Sequence, residues 1–258
     1  MISYIIRRST TLGIVGASLL SLGLLNPKAL ALPTEAVVEK LNPVPVFTVA
    51  DDQGAPLVAA GEEDQGKVAG VFISQKDAND FVSRLESQNP DLAKKVRVVP
   101  VSLGEVYKLA NENPDNKDLN FAYVPNETAV SDAKTVEGTT YEGGVPLFVA
   151  KGGEDNGYLT IEKDSQQVIP FFFEKSQLEN MVAKFKDQKP DLASSVNIEV
   201  VPLEGVIQTL QSSEDQTLAK IVLVPSTESL KFLQNSAASQ QAPANQQAPA
   251  PQQAPAKK

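Results

Sequence analysis

Val44-Pro45-Val46-Phe47 returns 101 residues later as Val145-Pro146-Leu147-Phe148. Gln88-Asn89-Pro90-Asp91-Leu92-Ala93 returns after 100 residues as Gln188-Lys189-Pro190-Asp191-Leu192-Ala193, and Phe121-Ala122-Tyr123-Val124-Pro125 as Ile221-Val222-Leu223-Val224-Pro225. A register held over three separated segments marks a tandem duplication. The period is too long for a solenoid, whose units are typically ~20–50 residues. Function is therefore expected where the halves meet, or on a face that both present.

Each half begins with short apolar runs separated by turn residues. In the first these are Val44 to Val49, Leu57 to Ala60 and Val68 to Ile73. In the second they are Val145 to Ala150, Tyr158 to Ile161 and Val168 to Phe173. This pattern predicts a three-stranded antiparallel meander. The period then changes. Ala78, Phe81, Val82 and Leu85, matched by Leu178, Met181, Val182 and Phe185, are spaced as one face of a helix. Ser74 with Asp77, and Ser176 with Glu179, are expected capping boxes. Pro90 and Pro190 end each helix or start a short further turn. Strands are expected again at Val96 to Val101 and Val196 to Val201. Short helices follow through Leu103, Val106, Tyr107 and Ala110, and through Leu203, Val206, Ile207 and Leu210. Closing strands run from Asn120 to Pro125 and Lys220 to Pro225. The expected fold is α+β, two tandem pseudo-symmetric β-β-β-α-β-α-β halves at about 43–130 and 143–234, forming one unit within 32–236.

The first 31 residues read as an export signal. Arg7 and Arg8 precede an uncharged run, Thr10 to Leu25, and Ala29-Leu30-Ala31 is the small-x-small pattern of a cleavage site. No later stretch is long enough to span a bilayer. Removing the leader, which carries Arg7, Arg8 and Lys28 and no acid, takes the formal charge from −9 to −12. A chain so acidic is repelled by nucleic acid and anionic membrane, and is expected as a monomer or small oligomer. From Ala237 to Lys258, Gln-Gln-Ala-Pro recurs at Gln240, Gln246 and Gln252, which predicts an unfolded spacer.

Histidine and cysteine are absent. This excludes disulfides, thiolate nucleophiles, the imidazole base and the usual transition-metal ligands. The acidic segments Glu62-Glu63-Asp64 and Glu154-Asp155-Asn156 lack the alternate spacing of a calcium loop and read as solvated turns. No phosphate-binding loop, nucleophile elbow or Ser-x-x-Lys motif occurs. No cofactor, metal or catalytic residue is expected.

The strands are apolar on both faces. Phe171 and Phe173 point one way and Phe172 the other, and Val71 and Ile73 oppose Phe72. Two helices per half cover one face. Either the halves bury the second face against each other, or part of it stays open as a binding groove. On the groove reading, Val71, Ile73, Phe171 and Phe173 are the candidate client-contact residues and Phe172 belongs to the core. Burial of ~400 Å² of apolar surface supplies ~10 kcal/mol before ordering costs, enough for sequence-tolerant binding.

The Val-Pro-Val-Phe and Val-Pro-Leu-Phe openings, Gly70-Val71-Phe72-Ile73-Ser74, Phe81 to Leu85 with Asn89-Pro90-Asp91-Leu92, and Val98 to Tyr107 together resemble the Tic twenty-two family. In chloroplasts that family supplies the intermembrane-space component of the inner-envelope import translocon. The resemblance covers about Pro43 to Gln234 and is to a cyanobacterial type of member. It implies an α+β fold with pseudo-twofold symmetry and apolar pockets. It also implies chaperone-like handling of unfolded or precursor proteins in the periplasm, toward the outer-membrane β-barrel assembly machinery, with a thylakoid-associated pool as a further location. The alternative is a binding protein for a small apolar ligand such as a lipid or pigment. A closed cavity in one half would favour the ligand, and an open groove on both halves a polypeptide.

Overall fold

The computed structural model describes residues 2–3, 32–60, 66–112, 119–138, 140–190, 195–212 and 216–241. Most of the expected export signal, the Glu62-Glu63-Asp64 segment and the chain beyond Gln241 lie outside the described residues. After a two-residue strand, Ile2–Ser3 (β1), helix Thr34–Leu41 (α1) leads into the first half. That half comprises β2 (Pro45–Asp51), β3 (Val58–Ala60), β4 (Lys67–Phe72), α2 (Gln75–Gln88), α3 (Pro90–Ala93), β5 (Val96–Ser102), α4 (Leu103–Glu112), β6 (Leu119–Val124) and α5 (Glu127–Ala133). The second half repeats the order as β7 (Pro146–Gly152), β8 (Gly157–Tyr158), β9 (Thr160–Lys163), β10 (Gln166–Phe172), α6 (Lys175–Gln188), β11 (Asn197–Pro202), α7 (Leu203–Ser212), β12 (Ile221–Val224) and α8 (Thr227–Gln241). The α+β duplication stands as read from sequence.

Each half forms its own sheet. In the first, β5 pairs with β2 and β2 with β4, both antiparallel, while β6 runs parallel to β4 from Leu119 to Val124. The expected simple meander needs correction. β6 occupies one edge of β4, so β2 and β3 must share the other. β2 takes the end of it through Phe47↔Phe72 and Thr48↔Val71. The three residues of β3 take its start. The second sheet matches, with β11, β7 and β10 antiparallel in turn and β12 parallel to β10.

Local chemistry explains the helix starts. Ser74 caps α2 by accepting from the Asp77 N–H, and Asn89 caps α3, with Pro90 at the first turn. The second capping box does not form. Glu174 is the residue before α6, and Ser176 lies inside the helix with its hydroxyl donated to Glu174.

Three cores hold the molecule. The largest joins the inner faces of both sheets to α1, α4 and α7. The outer face of the second sheet is covered by Leu178, Val182 and Phe185 of α6, and by Ala129 and Ala133 of α5. The outer face of the first is covered by α2 and by Phe232 of α8. The halves thus exchange their last helices. α5 closes the second half, and α8 closes the first, where Phe232 meets the fully buried Phe47 edge-on with ring centroids 5.3 Å apart. Polar links follow the same exchange. The Lys76 N–H donates to Glu228 of α8, and Lys175 Nζ donates to Thr135 just after α5. Helix α8 runs to Gln241, so the segment expected as a spacer from Ala237 begins inside a helix.

Candidate functional site

The exchange leaves the two halves unequally covered. In the second half α6 buries three side chains and α7 four. In the first, α2 buries only Ala78, and α4 buries Leu103, Val106 and Tyr107. Two open apolar grooves result, one on each face of the first sheet.

The inner groove, about 500 Å³, is lined by Thr48, Pro56, Val71, Val101, Val106, Leu109, Leu119 and Phe121, with Glu105 and Lys108 at its rim. Its origin lies in one substituted pair. In the second half Tyr158 pairs with Lys151 of β7 and its ring lies 5.8 Å from that of Phe171. Pro56 makes the equivalent bridge, to Ala50 of β2, and Val71 is the equivalent of Phe171. Two aromatic rings fill the space in one half, and a proline and a valine leave it open in the other. Leu109, 56% exposed, stands at the mouth where the repeat has Thr209.

The outer groove, about 480 Å³, is lined by Val49, Leu57, Val58, Val68, Phe72, Phe81, Ala122 and Val124, with Arg84 its one ionic group. Leu57 and Leu159 occupy equivalent places, donating to the Val49 and Ala150 carbonyls. Leu159 is fully buried, whereas Leu57 is half open to the groove. Val58, 36% exposed, extends the apolar rim.

A third cleft, about 390 Å³, lies between the halves. Ile73, Ser74 and Asn126 face their repeat partners Phe173, Glu174 and Ser226 across it. It is polar. Burial, then the neighbouring Glu127 carboxylate, pushes Asp77 up. Burial also works to raise Glu174, but the N–H and hydroxyl of Thr227 and the Ser176 hydroxyl outweigh it and hold Glu174 low. These groups tie helix starts together.

The four residues expected to contact a client all belong to one core. Val71, Ile73, Phe171 and Phe173 are all buried in the core shared by the halves. Alternation put Phe172 on the opposite face correctly, and it packs beneath α6. The second face is largely buried between the halves, so these four reach open space only at the edges of a groove or cleft. Val71 lies under the inner groove's floor, and Ile73 and Phe173 border the central cleft. Leu109, Phe121, Leu57 and Val58 line the grooves more openly. Their signal was present in the sequence as unequal repeat pairs, Leu109 against Thr209 and Val71 against Phe171. Among the described residues no group of acidic side chains could hold a metal, and no helix is long and apolar enough to cross a membrane.

A duplicated α+β unit with open apolar grooves is the class the fold defines. The sequence model of the Tic22-like family matches residues 16–236, and the chain belongs to that family. It is 23% identical over 188 residues to the protein TIC 22, chloroplastic, of Pisum sativum, covering 72% of this chain and 70% of that one. The Arabidopsis thaliana protein of the same name is 23% identical over 203 residues, covering 77% and 70%. Among solved structures, Anabaena Tic22, described as a protein-transport protein, superposes with a TM-score of 0.69 at 27% identity, covering 79% of this chain and 97% of that one. Tic22 from Plasmodium falciparum superposes at 0.61 with 20% identity, covering 79% and 98%, and shares the fold.

Proposed function

We propose that this chain is a non-enzymatic, chaperone-like protein of the periplasm. It holds unfolded or precursor polypeptides during protein transport and toward the outer-membrane β-barrel assembly machinery. The observation that carries the reading is the pair of open apolar grooves set back to back on the first sheet. The duplicated half closes the same places with Phe171, Tyr158 and Leu159. Membership of a family with a protein-transport member supports the same direction. Both grooves open to solvent, which favours a polypeptide over an enclosed lipid or pigment. Both lie on the first half, which supports a first half specialised for holding polypeptide in place of one groove repeated on each.

The test is suppression of light scattering by a chemically unfolded client diluted into buffer. Leu109→Asp with Val58→Asp is expected to lose most of the suppression without lowering the melting temperature. Leu233→Asp, an exposed leucine on α8 outside both grooves, is expected to keep it. Equal suppression by all three proteins would reject the grooves as the site.

A further inference from the structure

We propose that the first half captures its client by strand addition to the free edge of β6, with successive client side chains entering the two grooves in turn. This rests on the reading of the first half as the client-binding face.

Among the described residues β6 pairs only with β4. The Ile73 N–H donates to the Val124 carbonyl at 3.1 Å, so the backbone groups of Val124 face β4. Along a strand these directions alternate, and the N–H and C=O of Phe121 and Tyr123 must face away. The same alternation divides the side chains. Leu119 and Phe121 line the inner groove, while Ala122 and Val124 line the outer one. One edge strand therefore forms a wall of both grooves. A polypeptide laid beside it would extend the sheet between them. Its side chains would alternate into the inner and outer groove, and β6 is six residues long. The occupant that fits is an extended run of about five consecutive apolar residues, since alternating apolar and polar residues would fill one groove only.

The second half shows the same edge closed. There the Phe173 N–H donates to the Val224 carbonyl at 3.2 Å, which turns the Ile221 backbone outward. That outward carbonyl is capped by Lys40 of α1 at 3.1 Å, and the adjoining Ala219 carbonyl at 2.6 Å. A helix covering a sheet edge is a recognised block against strand addition. Burial lowers the Lys40 pKa, with Glu39 opposing, which is the expected cost of holding an ammonium at this place. Helix α1 makes these bonds to β12, and β6 is the less buried of the two strands.

The experiment uses a synthetic peptide with five consecutive Val, Ile and Phe residues flanked by lysines, and a second peptide of the same composition with apolar and polar residues alternating. The first is expected to bind at least tenfold more tightly. It should protect the Phe121 and Tyr123 amides from hydrogen exchange in the unmodified protein. Phe121→Pro removes an outward N–H while sparing the pairing with β4, and should weaken binding at least tenfold relative to Phe121→Val, which keeps the N–H. If the peptide binds, Leu109→Asp weakens it, and neither amide protection nor the Pro–Val difference appears, strand addition is wrong while groove binding stands. If the peptide does not bind and no client is held, both readings fall together.

Discussion

Tyr158 and Phe171 lie with ring centroids 5.8 Å apart and planes inclined at 47°, and their repeat counterparts, Pro56 and Val71, line the inner groove. The same position in a duplicated fold is thus plugged in one half and empty in the other. Grafting the plug tests the consequence. Pro56→Tyr with Val71→Phe should fill the inner groove and reduce client holding several-fold, read by light scattering. Because Val71 is buried, the added ring should cost about 1–3 kcal/mol, measured by urea unfolding.

The exchange of end helices predicts where truncation is tolerated. Ending the chain at Ser236 removes the Gln-Ala-Pro segment and leaves Phe232 in place, so the melting temperature should hold within error. Ending it at Ser226 removes Phe232 from the fully buried Phe47. Phe232→Ala alone should cost about 2–3 kcal/mol, because the ring is half-buried rather than enclosed.

Lys40 is predicted to keep the second sheet from pairing outward. Lys40→Ala leaves the Ile221 and Ala219 carbonyls uncapped at the edge of β12. Concentration-dependent self-association in sedimentation is the expected outcome, with the unmodified protein unchanged over the same range.

Tyr123 gives the alkaline limb of stability. Burial, then the charge on Glu204 and the neighbouring Tyr107, push its pKa to about 12, against about 10 in an unfolded chain. Between these values the unfolded chain releases a proton that the folded protein keeps. Stability is therefore undiminished by Tyr123 below pH 10 and falls as pH rises toward 12. Tyr123→Phe should make the fall between about pH 10 and 12 shallower, read from urea midpoints.

Much of this architecture was legible in the sequence, because repeat register and the switch from period 2 to 3.6 are local properties. The helix faces through Leu178, Val182 and Phe185, and the alternation of Phe171 and Phe172, follow directly from them. What was hidden is non-local. Nothing near Phe47 says that Phe232, far along the chain, covers it, and α1, α5 and α8 were not read as helices. The burial of the four candidate residues was hidden for the same reason. Phe171 and Phe173 carry the strongest apolar signal, but large apolar side chains in a strand are usually buried when two sheets share a core. The inner groove arises instead where Pro56 and Val71 are smaller than their repeat partners Tyr158 and Phe171, and the outer one where Leu57 is less covered than the identical Leu159, a difference seen only in space.

The central claim is that the first half, and not the second, holds polypeptide. A photo-crosslinking residue placed at Leu109 and, separately, at its repeat partner Thr209 tests it directly with one unfolded client. The account predicts strong adducts from position 109 and background from position 209. Equal adducts from both positions, or none from 109 while the protein still suppresses aggregation, would contradict it.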